Sequence, residues 1–279
     1  MRILFLGDVV GPAGLTFVKR ALPAAIAHEG LDLVIANAEN CTKGSGLTPQ
    51  HFRQLREAGI DLITLGDHAY KRLEIVSVLE SDERICRPAN LPSEAPGRDF
   101  AQLTAKDGTQ VAAFSLLGRT FMKPVDCPFK AAERVLEQLN GRAAIIVCDM
   151  HAEATADKYL MLHHLKGKVT AVFGTHTHVP TADEQVFAPG TAFISDVGMT
   201  GPYDSILGRR IDRVLSTAVT FIPSPFDVAT GDPRLAGAII EVDAPTGRAT
   251  SIRRYMLDEA DLAALPTVQP APQTAAPDR

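Results

Sequence analysis

The sequence contains few cysteines, and they are not arranged to hold a structural metal or a disulfide framework. Cys41, Cys86, Cys127 and Cys148 are widely scattered, and no C-x-x-C pair occurs. Zinc knuckles and disulfide-rich scaffolds need closely spaced cysteines. Both kinds of site are therefore disfavoured, and we expect reduced thiols, as in a cytosol.

Long apolar runs are also missing. No segment reaches the roughly 18 consecutive apolar residues of a membrane-spanning helix. The apolar start of the chain is interrupted by Asp8, which makes it too short for the apolar core of a signal peptide. We therefore expect a cytoplasmic protein with no membrane partner.

The chain has no excess of positive charge. Its 28 Lys and Arg residues are outnumbered by 33 Asp and Glu residues, for a net charge of −5. This balance argues against a broad basic surface for extended nucleic acid, although a local metal charge would still attract a small phosphate ester.

The chain is long enough for a substantial core and shows no internal repeat. Its 46% hydrophobic and 22% charged residues are typical of a globular protein. We predict one domain over residues 1–265 and a disordered tail rich in proline and alanine over residues 266–279.

Polar residues that can bind metals follow three apolar runs in the first half. Asp8 follows the run Ile3–Leu6, Glu39 and Asn40 follow 33–38, and Asp67 follows 61–65. Any one of them could cap the next turn or helix. Three in succession favour a shared site at the carboxyl ends of strands, where open α/β sheets bind ligands. The glycines near Asp8 lack both the G-K-[ST] ending and the full G-x-G-x-x-G spacing, so a nucleotide-binding loop is only weakly indicated.

Histidines follow two predicted strands in the second half. His151 comes after the strand 143–147, and His176 and His178 come directly after the run 169–173. A His-x-His pair is either the polar face of a strand or a pair of metal ligands, and the donors at the other strand ends favour ligands. Four other histidines lie in predicted helices and are expected to be structural or solvated: His28, His51, His163 and His164.

The C-terminal third contains further predicted strands and one glycine-rich segment. Residues 196–204 either fold over a site or simply connect two elements. Residues 216–221, 236–242 and 250–256 are predicted to be antiparallel edge strands.

Together the strand ends supply seven oxygen and nitrogen donors. They are Asp8, Glu39, Asn40, Asp67, His151, His176 and His178. Seven mixed donors are too many for one tetrahedral zinc but suit two borderline metal ions that share a carboxylate. Two ions about 3.5 to 4 Å apart can activate a hydroxide and hold phosphoryl oxygens. The set therefore points to hydrolysis of a phosphate ester.

His68 is not needed to complete this set. It could protonate the leaving oxygen as a general acid, or it could only hydrogen-bond a ligand. The spacing does not separate these two roles.

Six blocks of sequence resemble the YmdB-like family of bacterial calcineurin-like metallophosphoesterases over residues 1–257. The blocks are Gly7-Asp8-Val9-Val10-Gly11, Asn37-Ala38-Glu39-Asn40, Gly66-Asp67-His68, His151-Ala152-Glu153-Ala154-Thr155, Gly174-Thr175-His176-Thr177-His178-Val179 and Asp196-Val197-Gly198-Met199-Thr200-Gly201-Pro202. The resemblance implies an α/β fold of the four-layer α-β-β-α sandwich type. It also implies a dinuclear centre often occupied by iron or manganese, and phosphodiesterase activity toward 2′,3′-cyclic nucleotides such as 2′,3′-cyclic AMP.

The same resemblance implies a role for each donor. One metal would be held by Asp8, Asn40 and His178. The other would be held by Asp67, His151 and His176. Glu39 would bridge the two, and His68 would be the proton donor.

The chain departs from the family pattern at one position, because Asp67 stands where the family has an asparagine. The extra negative charge should tighten cation binding and make the cation a weaker Lewis acid. We expect a shifted metal preference or a lower activity.

Other functions are compatible with the same residues. Within hydrolases, the alternatives are a phosphomonoesterase or a general phosphodiesterase. A metal-stabilised regulator that binds a nucleotide or a partner with little turnover is an alternative of another class. A redox di-iron enzyme is disfavoured because the helical Glu-x-x-His pairs of such enzymes are absent. A homo-oligomer is compatible with the sequence, which does not determine the oligomeric state.

Overall fold

The protein has a mixed α/β fold with two β-sheets and helices, as described by a computed structural model for residues 1–266. The strands are β1 (Arg2–Leu6), β2 (Asp8–Val9), β3 (Leu33–Asn37), β4 (Leu62–Thr64), β5 (Ile85–Cys86), β6 (Ala101–Thr104), β7 (Gln110–Leu117), β8 (Ile145–His151), β9 (Ala171–Thr175), β10 (Gln185–Phe187), β11 (Thr191–Ile194), β12 (Met199–Asp204), β13 (Gly231–Asp243) and β14 (Arg248–Leu257). The helices are α1 (Gly11–Glu29), α2 (Pro49–Glu57), α3 (Val76–Ser81), α4 (Pro128–Leu139), α5 (Thr155–Leu165), α6 (Ile211–Thr220) and α7 (Glu259–Ala264), and Leu73–Ile75 form a 3₁₀ turn.

The first sheet has eight strands. Seven of them follow the order β2-β12-β13-β1-β3-β4-β5, and β14 pairs with β13 outside this path. Strands β1, β3, β4 and β5 are parallel, so their carboxyl ends lie along one edge.

The second sheet has six strands in the order β10-β11-β9-β8-β7-β6. Its central strands β7, β8, β9 and β11 are parallel, while β6 and β10 are antiparallel to their neighbours.

The inner faces of the two sheets pack against each other. The rings of Phe5 on β1 and Phe173 on β9 stack with centroids 4.8 Å apart. They belong to a buried apolar cluster that also includes Ile35 and Val147. Residues on β1 and β9 are therefore held close together across the inter-sheet core, and so are the loops that follow these strands.

Two further apolar clusters lie between the sheets and the helices. One joins α1, α2 and α3 to the first sheet through residues such as Val18, Leu55 and Ile63. The other joins α4 and α5 to the second sheet through residues such as Val135 and Phe114.

Three predictions about the C-terminal third need correction. Residues 236–242 are not an edge strand, because this part of β13 pairs with β1 on one side and with β14 on the other. The predicted strand 216–221 is wrong, because Ile211–Thr220 form the helix α6, in which no residue is buried. The apolar residues Ile211, Leu215 and Val219 recur every four positions, which is a helical spacing. The segment 196–204 is a loop only in part, since Met199–Asp204 form β12 between β2 and β13.

The predicted tail, residues 266–279, lies outside the described residues except for Pro266. Within the described part of the chain, no helix combines the length and the apolar character needed to cross a bilayer.

A close backbone approach fixes the end of β9. A Cβ atom added at Gly174 would lie 1.7 Å from the carbonyl oxygen of Ser195, far inside van der Waals contact. Only glycine lets these two backbones approach so closely just before His176.

We predict that Gly174→Ala lowers the free energy of unfolding by about 3 kcal/mol or more, because the backbone must move to relieve the clash. The matched control is Gly108→Ala. Apart from its chain neighbours, no atom of residues 1–266 lies within 4 Å of a Cβ added there, and only the φ of +88° opposes alanine. That substitution should cost roughly 1 kcal/mol. Urea denaturation compares the two, and an equal or smaller loss for Gly174→Ala would contradict the close approach.

Candidate metal centre

Five strands, three in the first sheet and two in the second, bring the candidate donors to one region of the molecule. In the first sheet, Asp8 follows β1, Glu39 and Asn40 follow β3, and Asp67 follows β4. In the second sheet, His151 ends β8, whereas His176 and His178 follow β9. The packing of the two sheets places both sets of strand ends together, and all seven donors and His68 lie in this region.

Four donors form one compact group. The ligand atoms of Glu39, Asp67, His151 and His176 all lie within 4.8 Å of one another. His151 Nε2 is 3.2 Å from Asp67 Oδ1 and 3.3 Å from Glu39 Oε1. His176 Nδ1 is 3.0 Å from His151 Nε2. This arrangement can hold one metal ion.

A second group lies on the other side of Glu39. His178 Nε2 is 3.0 Å from Asp8 Oδ2. The amide nitrogen of Asn40 is 3.3 Å from each of these atoms and 3.2 Å from Glu39 Oε1. Because Glu39 Oε1 borders both groups, this carboxylate is placed to be shared.

Hydrogen bonds fix the tautomer of two of the histidines. In the neutral ring, the nitrogen that faces the other donors carries no proton. His178 Nδ1 donates to the carbonyl oxygen of Leu207 at 3.1 Å, which leaves Nε2 without a proton in the neutral ring. The hydroxyl of Thr175 donates to Asp149 at 2.6 Å and lies 2.9 Å from His151 Nδ1. Since this hydroxyl already donates its proton to Asp149, it must accept from His151 Nδ1, so in the neutral ring of His151 it is again Nε2 that carries no proton.

His176 is held differently. Its Nδ1 faces the other donors, while its Nε2 lies 3.2 Å from Glu153 on the surface. The Glu153 carboxylate therefore fixes the ring from the outside.

Behind these donors lies a buried acid that the sequence analysis did not single out. Asp149 Oδ2 accepts from Asn37 Nδ2 at 2.9 Å and from Thr64 Oγ1 at 2.6 Å. Burial raises the pKa of Asp149 to about 6. The signal in the sequence was an acid inside an otherwise apolar buried strand, which is rare without a specific partner.

The centre concentrates negative charge. Burial by itself would raise the pKa of Asp8, but the hydrogen bond and charge of His178 outweigh it and bring that pKa to about 2. Burial would lower the pKa of His151, yet Glu39 and Asp67 raise it well above its ordinary value. Protons on the histidines thus compensate the negative charge of the carboxylates. A metal cation would compete with these protons for the same donor atoms.

Two further features fit a bound cation. Asp8 Oδ1 is buried and has no hydrogen-bond partner among the described residues. A Cβ atom at Gly66 would lie 2.4 Å from both Glu39 Oε2 and His151 Nε2, so the glycine keeps this space open. The donor set, the unpaired oxygen and the open space all suit metal ions.

His68 lies at the rim of the centre and is partly exposed. Its backbone N–H donates to Glu39 Oε2 at 2.9 Å, and its Nδ1 contacts Asn40 Oδ1 at 2.7 Å. Its Nε2 is 3.9 Å from Asp67 Oδ2. Its Nδ1 thus faces Asn40, and its Nε2 lies on the side of Asp67.

The His-x-His segment has an unusual backbone that a buried ion pair supports. His176 and His178 have φ values of 94° and 66°, in the left-handed region that disfavours side chains. Asp196 Oδ2 accepts from the hydroxyl of Thr177 at 2.7 Å and from Lys158 Nζ at 2.8 Å. No role for Lys158 or Asp196 was predictable from the sequence, because their contact depends on the fold.

We predict that Lys158→Met lowers the free energy of unfolding by about 3 to 5 kcal/mol, because it leaves the buried Asp196 charge without a partner. Adding Asp196→Asn should recover part of this loss, since the buried charge is then removed as well. The exposed Lys168→Met is the control and should change stability by less than about 0.5 kcal/mol. If the double variant were no more stable than Lys158→Met, the ion pair would not be the supporting interaction.

The chain is similar to known proteins over most of its length. The model of the YmdB-like protein family matches residues 4–255. A 2′,3′-cyclic-nucleotide 2′-phosphodiesterase of Bacillus subtilis is 39% identical over 259 residues, covering 93% of this chain and 98% of that protein.

Two solved structures share the fold. A hypothetical protein from Thermus thermophilus superposes with a TM-score of 0.86 and 41% identity, covering 92% of this chain and 99% of the other. A novel phosphatase from Mycoplasma pneumoniae has a TM-score of 0.85 and 32% identity, covering 92% and 93%. With a family match over most of its length, the chain belongs to the YmdB-like protein family.

Proposed function

We propose that this protein is a metal-dependent phosphodiesterase that hydrolyses 2′,3′-cyclic nucleotides. The observation that carries the proposal is the pair of donor groups that share Glu39, in a chain 39% identical to a 2′,3′-cyclic-nucleotide 2′-phosphodiesterase. The substrate class is a small phosphodiester.

The proposed architecture is a four-layer α-β-β-α sandwich formed by residues 1–265 as one domain. Three apolar clusters support it, one between the two sheets and one between each sheet and its helices.

We assign the metal ligands by group. Asp67, His151 and His176 would hold one ion; Asp8, Asn40 and His178 would hold the other; Glu39 would bridge. Iron or manganese suits such mixed oxygen and nitrogen donors. Bound there, the metal ions would supply Lewis acidity for the phosphoryl oxygens and for a water that attacks phosphorus.

In this proposal Asn40 links ligand binding to the protonation of His68. As described, Asn40 Oδ1 faces His68 Nδ1 and the amide nitrogen faces the other donors. A half-turn of the amide would present its oxygen to the donors and its NH₂ group to His68 Nδ1. His68 would then carry its proton on Nε2, from which it could protonate the leaving oxygen as a general acid.

The direct test combines elemental analysis with hydrolysis of 2′,3′-cyclic AMP by the iron- or manganese-loaded protein. We expect His178→Ala to lose one metal ion and nearly all turnover. His68→Ala should keep both ions and lose about 10²- to 10⁴-fold in rate, because only proton transfer is removed. His163→Ala, on an exposed face of α5, is the control and should match the wild type.

The opposite pattern, with metal lost in His68→Ala and retained in His178→Ala, would overturn these roles. Full metal occupancy with nucleotide binding but no hydrolysis would favour a regulator instead of an enzyme. Hydrolysis of a chromogenic diester or a phosphomonoester in place of the cyclic nucleotide would indicate a different substrate class.

Asp67→Asn tests the departure from the family pattern. Removing one negative charge should weaken metal binding, shift metal preference and raise the turnover of the loaded enzyme, because the cation becomes a stronger Lewis acid. Metal titration and steady-state kinetics measure both effects. Unchanged metal content, metal identity and turnover would show that the carboxylate has no special effect.

A further inference from the structure

The turn Gly118–Phe121 lies beside the metal centre and has no part in the roles assigned above. It follows β7, whose last residue, Leu117, is paired with His151. The Gly118 N–H donates to the carbonyl oxygen of His151 at 2.9 Å. Neighbouring strands are about 4.8 Å apart, so the turn begins one strand spacing from a proposed metal ligand.

The turn is pinned to the start of α5. Asp157 Oδ2 accepts from the backbone N–H groups of Arg119 at 2.9 Å and Thr120 at 3.0 Å. The hydroxyl of Thr120 donates to Asp157 Oδ1 at 3.3 Å. Three hydrogen bonds to one carboxylate therefore fix the backbone up to Thr120.

The chain is also anchored just beyond the turn. Met122 packs against the apolar cluster beneath α4 and α5. Between these anchors, Phe121 has a φ of 62° and its side chain is 88% exposed. A left-handed conformation is costly for a bulky residue, and here it leaves the aromatic ring in water, four residues after the strand that pairs with His151.

The charge at this turn suits an anionic ligand. The guanidinium group of Arg119 is exposed and makes no ion pair among residues 1–266, although Glu153 and Asp157 belong to the adjoining segment. An exposed ring beside an unpaired cation is a combination that binds nucleotides, because a base stacks on the ring while the cation favours the phosphate.

We propose that the turn Gly118–Phe121 is the nucleoside subsite, in which the nucleobase of the substrate stacks on the ring of Phe121. This proposal rests on the proposed function, because it takes the phosphate of the substrate to lie at the metal centre. It makes Phe121 a specificity-determining residue, which acts on the base and not on the bond that breaks. Because every base presents a flat face, the subsite would favour nucleotides over base-free diesters without strongly selecting one base.

The test compares 2′,3′-cyclic AMP with ethylene phosphate, a five-membered cyclic diester that has no base. In the metal-loaded protein, Phe121→Ala should lower kcat/KM on the order of 10-fold for the nucleotide and leave that for ethylene phosphate unchanged. Phe121→Tyr should retain the preference, because its ring still stacks. The melting temperature of Phe121→Ala should not fall, since the ring is 88% exposed.

Phe221→Ala is the matched control. Phe221 has a φ of 59° and is 89% exposed, but it follows α6 and not a strand that supplies a donor. It should not change the ratio of the two kcat/KM values. An unchanged ratio in Phe121→Ala, or an equal loss on both substrates, would overturn the subsite.

Failure of the proposed function can be distinguished from failure of the proposed subsite. If the metal-loaded wild type hydrolysed neither diester, the proposed function would fall, and calorimetric binding of 3′-AMP would then decide the subsite alone. Weaker binding by Phe121→Ala than by the wild type would support it, and equal binding would overturn it.

Discussion

The carboxylates of Asp8, Glu39 and Asp67 converge at an edge shared by two sheets, and the rest of the centre depends on how this charge is compensated. Asp8 and Glu39 are fully buried. Buried charges are expensive unless they are paired and hydrogen-bonded. His151 and His178 partly compensate them, which is why the pKa values of both histidines are raised. Cations compensate the same charge without requiring protonated ligands, so the electrostatics of the centre favour metal binding.

Residues behind the donors keep the geometry fixed. Thr175 connects His151 to the buried Asp149, and Leu207 holds His178 through its carbonyl oxygen. The pair formed by Lys158 and Asp196 supports the segment on which His176 and His178 lie. Interactions of this kind orient metal ligands before any ion binds. The strained backbone of that segment is thus tolerated because the surrounding side chains hold it in place.

The convergence of these residues was predictable from the sequence, because the carboxyl ends of parallel strands share an edge, where acids and histidines that follow apolar runs come together. The α/β class followed from the same runs. The supporting residues were not predictable, because each contact joins distant segments: Asn37 meets Asp149 112 positions away, and Lys158 meets Asp196 38 positions away. The sequence pattern also led to a wrong strand prediction at α6. Its β-branched residues favoured a strand, although its apolar residues have the spacing of an exposed helix. The turn at Phe121 could not be recognised before its neighbour His151 was placed across β7 and β8.

Anomalous diffraction from crystals of the manganese- or iron-loaded protein would show whether two metal ions share Glu39. Data collected on both sides of the metal absorption edge locate each ion without reference to activity. We expect two anomalous peaks, one among Glu39, Asp67, His151 and His176 and one among Asp8, Glu39, Asn40 and His178. A single peak at full metal loading, or peaks away from Glu39, would contradict it.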